Sequence, residues 1–139
     1  MREIEPWTAL LDEARADERL VGEAFEHARA ASLVPLPGEL HPRLLEALKG
    51  AGIDDLYSHQ AQALEAAWKG TTIVTTGTAS GKSLCFNLPT LEILLRDAKA
   101  RALYLYPTKA LAQDQARAIS KLGLHDRIRP AIYDGDTPR

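Results

Sequence analysis

The sequence predicts an α/β fold in which a parallel β-sheet carries helices on its faces and follows a helical N-terminal extension. Two observations support this class. Beyond Ile53, apolar or β-branched runs alternate with amphipathic helical patterns, which is the order of a parallel sheet with crossover helices. The 139 residues, 45% hydrophobic and 26% charged, have the composition of an ordinary globular domain and exclude low-complexity or collagen-like sequence.

The first 39 residues form the predicted acidic helical extension. Residues 6–31 are rich in Ala, Leu, Glu and Arg, and the spacing of their apolar residues predicts two amphipathic helices or one helix broken near Asp17. Residues 34–38 contain two prolines and a glycine, so we predict a linker there. The helical periodicity is carried by Trp7, Leu10, Leu11 and Ala14, and then by Leu20, Val21, Ala24, Phe25 and Ala28.

Residues 40–139 form the predicted sheet-containing part, which opens with two helices. Pro42 suits the first position of a helix that ends in the left-handed conformation at Gly50 or Gly52. Ser58 is a candidate N-cap for a helix through Trp68.

Three strands and two further helices follow in alternation. Residues 71–76, 102–106 and 128–133 are predicted strands, and the helices are predicted from about 82 to 99 and from 108 to 122. The run 102–106 is apolar at almost every position, as is typical of a buried parallel strand.

Charge is distributed unevenly. Residues 1–50 contain 6 Lys or Arg and 10 Asp or Glu, a net of −4, whereas residues 51–139 contain 11 and 9, a net of +2, which together give the chain its −2. The second part is therefore the better candidate for binding anions, although the chain lacks the strongly basic composition of a nucleic-acid coat protein.

The remaining composition argues against other classes. The single Cys85 excludes an internal disulfide. One cysteine and four scattered histidines also argue against a closed structural zinc site. The N-terminus has no apolar signal sequence and no run is long enough to span a bilayer, so we expect no membrane partner and a cytoplasmic location.

The most specific motif is a phosphate-binding loop at residues 76–83. A predicted strand precedes it and a predicted helix follows it, which is the context that separates a P-loop from a chance Gly-Lys-Ser. Gly81 lets backbone amides turn toward phosphate oxygens, Lys82 supplies the catalytic cation to the β- and γ-phosphates, and Ser83 offers its hydroxyl to Mg²⁺. The predicted nucleotide-binding residues here are Thr76 (in place of the usual Gly), Gly77, Thr78, Ala79, Ser80, Gly81, Lys82 and Ser83.

Gln60 and Tyr57 lie upstream of this loop. The Gln60 amide has a donor and an acceptor that could pair with adenine, and Tyr57 could pack against the base. Taken alone, Gln60 is better explained as a solvated residue at a helix start, and His59 as a surface or capping residue.

Two further segments follow predicted strands, at the sheet edge where α/β proteins bind ligands. Pro107, Thr108 and Lys109 bring a hydroxyl, a cation and a helix N-terminus, which suit a nucleic-acid phosphate or simply cap the helix. The Asp-Gly-Asp sequence that includes Gly135 and Asp136 could suggest a metal, but such a sequence is more often a turn.

Together these segments resemble the first RecA-like domain of superfamily 2 DEAD/DEAH-box helicases. Gln60 matches the Q motif, residues 76–83 match motif I, residues 107–112 match motif Ia, and residues 133–137 resemble the segment after the third strand. More narrowly, they look like the DNA helicases that carry a C-terminal DUF1998 zinc-binding domain, the mitomycin-repair type.

The resemblance implies an ATP- and Mg²⁺-dependent helicase acting on single-stranded or partly duplex DNA, with RNA as an alternative. It also implies contacts to nucleic acid from Pro107, Thr108, Lys109, Gly135 and Asp136. The acidic motif II, the second RecA-like domain and the zinc cysteines of the family do not occur in these residues. We therefore expect an N-terminal part of a longer helicase that binds ATP without hydrolysing it, whose partner is the rest of the helicase chain.

Two other functions remain open from the residues. A small P-loop nucleotide kinase would use the same loop, but no Arg-rich lid follows and residues 107–112 would be unexplained. A non-catalytic module that binds ATP or nucleic acid is the second alternative.

Overall fold

The structure, a computed structural model, describes residues 7–24, 30–77, 80–135 and 137. The chain divides into two compact units, Met1–Ala30 and Ala31–Arg139. The predicted domain boundary between residues 39 and 40 stays a prediction.

The first unit contains helix α1, Thr8–Ala16. It ends at Asp17, where the sequence predicts a break, and Asp17 N donates to Glu13 O at 3.1 Å. The prediction of a second helix is wrong for residues 19–24, which are not helical, and its remaining apolar positions, Phe25 and Ala28, lie outside the described residues. Helix propensity alone is weak, and a short helix needs a packed face to be stable.

Within its described residues, the second unit contains two short strands and four helices. Strands β1 (Leu33–Pro35) and β2 (Asp55–Tyr57) pair antiparallel, with Val34 opposite Leu56. The linker predicted at 34–38 is therefore partly wrong, because Pro35 is compatible with a strand end, where a missing N–H costs no ladder hydrogen bond. The helices are α2 (Pro42–Gly50), α3 (Ser58–Lys69), α4 (Lys82–Arg96) and α5 (Lys109–Lys121).

Local signals explain where these helices begin and end. Pro42 occupies the first turn of α2, and Gly52 just beyond it has φ +77°. The N-cap of α3 is Tyr57 instead of the predicted Ser58, because the Gln60 side chain reaches back and its Oε1 accepts from Tyr57 N at 2.9 Å. Thr108 caps α5 as predicted, with Oγ1 accepting from Leu111 N at 3.3 Å.

The core lies between the helices and the small sheet. Its fully buried side chains come from α2, β2 and α4, namely Leu44, Leu48, Leu56, Leu88 and Leu91. The buried carboxylate of Glu92 accepts from His41 N at 2.8 Å and from Arg96, so α4 is fixed to the start of α2 by polar contacts as well. This packing sets the position of the N-terminus of α4, where the candidate site lies.

The predicted parallel sheet is not observed in the described part of the chain. The sheet there has only the two antiparallel strands β1 and β2, and residues 71–76, 102–106 and 128–133 are not assigned as strands. β-Branched composition gives a propensity, whereas a strand also requires a neighbouring backbone that completes its hydrogen-bond ladder. We call these three ranges the predicted-strand segments.

In residues 71–76 and 103–106, side-chain exposure nevertheless alternates from one residue to the next. Ile73 is 88% exposed, and Leu103 and Leu105 are 85% and 84% exposed, while the intervening Val74 and Tyr104 are half-buried. This period of two indicates one face packed on the helices and one open apolar face. Tyr104 contributes to the packed face through ring contacts with Phe86 at 5.9 Å and Tyr106 at 6.2 Å.

Candidate phosphate-binding site

The centre of the site is the loop that ends at Gly81, where α4 begins. Gly81 has φ +73°, a conformation that favours glycine. A Cβ at this position would lie 2.6 Å from Gln60 Nε2, so the close approach also requires glycine. The sequence prediction of a tight glycine turn at the N-terminus of a helix is therefore matched by the geometry, which leaves the first amides of α4 without partners within the helix.

The ammonium group of Lys82 lies inside this loop. Its Nζ donates to Thr76 O at 3.0 Å, to Thr76 Oγ1 at 3.1 Å, and to Gly77 O. A hydrogen bond of 2.6 Å joins the hydroxyls of Thr76 and Ser80, and Ser80 Oγ lies 3.4 Å from Nζ. The loop thus curls around a cation, as a loop built to place Lys beside phosphates must.

Thr76, which departs from the usual Gly, has a structural part in this arrangement. Its hydroxyl contacts both Ser80 and Lys82, so it connects the start of the loop to its end. The sequence predicted Thr76 as a nucleotide-binding residue that departs from the usual Gly, and gave its hydroxyl no part in shaping the loop. Thr78 and Ala79 were also predicted as nucleotide-binding residues, and both lie outside the described residues.

Gln60 is attached to the loop and is not solvated. The residue is 2% exposed, its Oε1 accepts from Tyr57 N, and its Nε2 donates to Gly81 O at 2.9 Å. The interpretation of Gln60 as a solvated residue is therefore wrong. Gln60 Oε1 keeps one further lone pair and Gln60 Nε2 one further hydrogen. A contact with a base would have to use these two.

Tyr57 and His59 lie beside Gln60. Their rings stack with centroids 5.7 Å apart, and Tyr57 is 43% exposed. A Cβ on Gly81 would lie 3.8 Å from Tyr57 Cδ2, so the Tyr57 ring is next to the loop. A flat, partly exposed aromatic surface therefore lies next to the loop, where it could pack against a planar ring.

Ser83 occupies the first turn of α4 and contacts α5. Its Oγ accepts a hydrogen bond of 3.2 Å from Gln115 Nε2. Two residues further along α4, burial raises the pKa of the Cys85 thiol, so this cysteine is poorly suited to act as a thiolate.

The residues fit ATP and Mg²⁺. A cation, a left-handed glycine and free amides at the start of α4 suit the phosphates. Mg²⁺ in such sites takes few protein ligands and completes its shell with phosphate oxygens and water, so one hydroxyl from Ser83 is sufficient. Within the described residues no group of three or more His, Cys, Asp or Glu could hold a metal alone, so the phosphates would have to provide most of the charge.

The second predicted site forms around the start of α5. Thr108 is occupied as the helix cap, and Pro107 and Lys109 are exposed. A Cβ on Gly135 would lie 3.9 Å from Lys109 Nζ, so the structure brings the turn after residue 133 close to this lysine. Asp136, the remaining predicted residue, lies outside the described residues.

The Asp134 segment forms a turn, as its sequence indicates. Asp134 N donates to Thr137 Oγ1 at 2.9 Å, and Thr137 N donates to Asp134 O at 3.1 Å. These hydrogen bonds form the turn that lies beside Lys109.

Sequence reasoning missed Gln115. It is the amide that reaches from α5 to Ser83, and no role was assigned to it. A signal was present, since Gln115 is seven residues after the cap Thr108 and so lies near the same helix face. What the sequence could not reveal is that this face meets the start of α4.

Comparison with known proteins identifies the family of the chain. The DEAD/DEAH box helicase family matches residues 57–139. The "Uncharacterized ATP-dependent helicase YprA" of Bacillus subtilis (strain 168) is 44% identical over 135 residues, which cover 94% of this chain and 18% of that protein.

Solved structures give the same result. The chain superposes on the DUF1998 helicase MrfA bound to DNA with a TM-score of 0.83 and 40% identity, covering 96% of this chain and 20% of that one. The MrfA structure bound to DNA and AMPPNP gives a TM-score of 0.74 and 42% identity, covering 91% and 19%. The chain thus spans about a fifth of the length of these relatives.

The family match also bears on the alternative of a small P-loop nucleotide kinase. A match over residues 57–139 covers the loop, α5 and the turn beside Lys109, so it includes the residues 107–112 that a nucleotide kinase left unexplained. No helix within the described residues is long and apolar enough to cross a membrane. The family match and the resemblance to MrfA lead to one conclusion: this chain belongs to the DEAD/DEAH box helicases.

Proposed function

We propose that the chain is the ATP-binding and nucleic-acid-contacting part of an ATP-dependent DNA helicase of superfamily 2, and forms part of a RecA-like domain. The observation that carries this proposal is the Lys82 ammonium at the start of α4, which donates to Thr76 O, Thr76 Oγ1 and Gly77 O. This arrangement binds a polyphosphate when the phosphate oxygens replace the carbonyl oxygens that now accept from Lys82.

Each residue has a role in that proposal. The amides after Gly81 and the ammonium of Lys82 bind the β- and γ-phosphates, and Ser83 Oγ takes one position around Mg²⁺. The ion, when bound, neutralises phosphate charge. Tyr57 packs against the base, and Gln60 holds Gly81 in place while its remaining donor and acceptor face the adenine edge.

Nucleic acid binds at the second site. Lys109 offers a cation, residues 107–109 offer an exposed helix start, and the turn at Gly135 lies next to them. These groups contact phosphates, which fixes register without reading sequence. The MrfA structures have DNA bound, which supports DNA over RNA as the partner.

The rest of the helicase chain is the second proposed partner. The open apolar face of the predicted-strand segments, with Ile73, Leu103 and Leu105 exposed, is the kind of surface that another part of a longer chain covers by packing on it. The acidic motif that orients the attacking water does not occur in these residues. We therefore infer that they bind ATP but do not hydrolyse it without the remainder of the helicase.

Equilibrium binding of ATP by wild type and by Lys82→Ala tests the proposal. We expect the variant to lose ATP binding, because no other group in the loop neutralises the phosphates. Lys69→Ala is the matched control, since Lys69 is an exposed lysine at the end of α3 and its loss should change nothing. Equal ATP affinity in Lys82→Ala would contradict the P-loop assignment.

The same assay tests the contact with the base. If Gln60 and Tyr57 select adenine, GTP should compete for the wild-type site more weakly than unlabelled ATP does. Equal competition would show that Gln60 supports only the loop.

A further inference from the structure

The side chain of Gln115 forms a bridge from α5 to the start of α4. Its Nε2 donates to Ser83 Oγ at 3.2 Å, and both residues are half-buried. Ser83 is the second residue of α4, and Gln115 is the seventh of α5. The bridge therefore ends on the Ser83 hydroxyl, which is the Mg²⁺ ligand in the proposed function.

The other end of the same amide is unused. Gln115 Oε1 is buried and has no hydrogen-bond partner among the described residues. A buried acceptor without a partner costs free energy, so such an atom in a native structure requires an explanation. A ligand that brings donors to this point would provide one.

A hydrated magnesium ion brings such donors. Mg²⁺ keeps several water molecules when it binds beside phosphates, and these waters donate hydrogen bonds strongly. Ser83 Oγ has two lone pairs, so it can accept from Gln115 with one and bind the ion with the other. Ser83 Oγ is thus suited to bind the ion directly, and Gln115 Oε1 to accept a hydrogen bond from one of the ion's water molecules.

We propose that Gln115 is a positioning residue for the magnesium ion of the ATP complex: its Nε2 fixes the Ser83 hydroxyl, and its Oε1 accepts from a water molecule of the ion. The inference rests on the proposed function, because it requires ATP at residues 76–83. It adds a residue from the helix that begins at the predicted nucleic-acid contacts.

The test is ATP binding by calorimetry, at a series of Mg²⁺ concentrations and in EDTA, for the full chain and for Gln115→Ala. We expect the apparent affinity for Mg²⁺ to fall about tenfold, as when outer-shell partners of a metal are removed, while ATP affinity in EDTA stays within twofold of wild type. Gln113→Ala is the control, because it removes an exposed amide from the same helix. Circular dichroism checks that each variant is folded.

A double-mutant cycle separates positioning from a structural role. In a Ser83→Ala background, Gln115→Ala should have no further effect on Mg²⁺ dependence, since the hydroxyl that it orients is absent. An unchanged Mg²⁺ dependence in Gln115→Ala, an equal loss with and without Mg²⁺, or a full effect in the Ser83→Ala background would each overturn the inference.

The outcomes also separate this inference from the function on which it rests. If wild type binds ATP and the Mg²⁺ dependence of Gln115→Ala equals that of wild type, only the role of Gln115 is refuted. Absence of ATP binding by wild type would refute the proposed function, and this inference with it.

Discussion

The helices and the predicted-strand segments of the second unit differ in how completely they are packed. The helices bury Leu44, Leu48, Leu88 and Leu91 entirely, whereas Leu103 and Leu105 in the segment 102–106 are more than four-fifths exposed. Both regions are apolar in sequence. The difference shows that a helix completes its hydrogen bonds within itself, whereas a strand requires a neighbouring backbone on at least one edge to form its ladder.

The phosphate-binding loop connects these two regions. It starts at Thr76, at the end of a predicted-strand segment, and finishes at Gly81, at the start of the best-packed helix. Its contacts run to the helices, because Gln60 of α3 donates to Gly81 O and Lys82 of α4 donates to Thr76 O and Gly77 O. The site therefore depends on the helices for its geometry, and less on the predicted-strand segments.

The largest expected effect comes from the core of α4. Leu88→Ala removes a completely buried side chain, and we expect a loss of about 3 kcal/mol in the free energy of unfolding, from lost burial and the remaining cavity. Ile93→Ala, on the exposed side of the same helix at 49% exposure, should cost less than about 1 kcal/mol. Chemical denaturation measures both, and equal losses would mean that α4 is not packed as described.

A smaller effect is expected at the loop itself. Gly81→Ala combines a left-handed backbone with a Cβ 2.6 Å from Gln60 Nε2, so we expect about 1–2 kcal/mol of destabilisation and weakened ATP binding. Gly50→Ala is the control, because a Cβ there has no neighbour within 4 Å. Wild-type ATP affinity in Gly81→Ala would show that the tight turn is not required.

The open apolar face should respond in the opposite way. Leu105→Lys places a charge on a side chain that is 84% exposed, so stability should change by less than about 0.5 kcal/mol. Self-association, measured by light scattering against concentration, should decrease because a charge on the open apolar face opposes its burial against a second copy. A loss of stability comparable to that in Leu88→Ala would mean that this face is covered.

The smallest effect concerns the Arg43–Asp126 ion pair on the surface. Hydrogen bonding from Arg43 lowers the pKa of Asp126, so the pair stabilises the fold above the ordinary carboxyl pKa and is lost as pH falls below about 4. Both side chains are exposed, so the contribution is small. Asp126→Asn should lower the melting temperature slightly at pH 7 and not at pH 3, and an equal shift at both would exclude this cause.

The sequence predicted those features that depend on local chemistry. Pro42 starts α2, Thr108 caps α5 and Gly81 turns the loop before α4, because each effect acts within one or two turns. The family resemblance is confirmed, and it required the order of the motifs along the chain in addition to each motif separately.

The features that it did not predict depend on contacts between distant residues. Taken without the family resemblance, Gln60 was interpreted as solvated, because nothing local shows that Gly81, 21 residues away, passes beside it. The pairing of Val34 with Leu56 and the bridge from Gln115 to Ser83 were missed for the same reason. The parallel sheet was predicted from strand propensity, which does not provide the neighbouring backbone that a ladder requires.

Amide hydrogen exchange with and without ATP and Mg²⁺ tests the central claim most directly. If the start of α4 binds phosphate, exchange should slow at the amides of Gly81, Lys82 and Ser83, whose N–H groups have no partner within the helix. The amides of α2 (Pro42–Gly50) should not change. ATP binding without slower exchange at Gly81–Ser83, or with slower exchange only in other regions, would contradict the account.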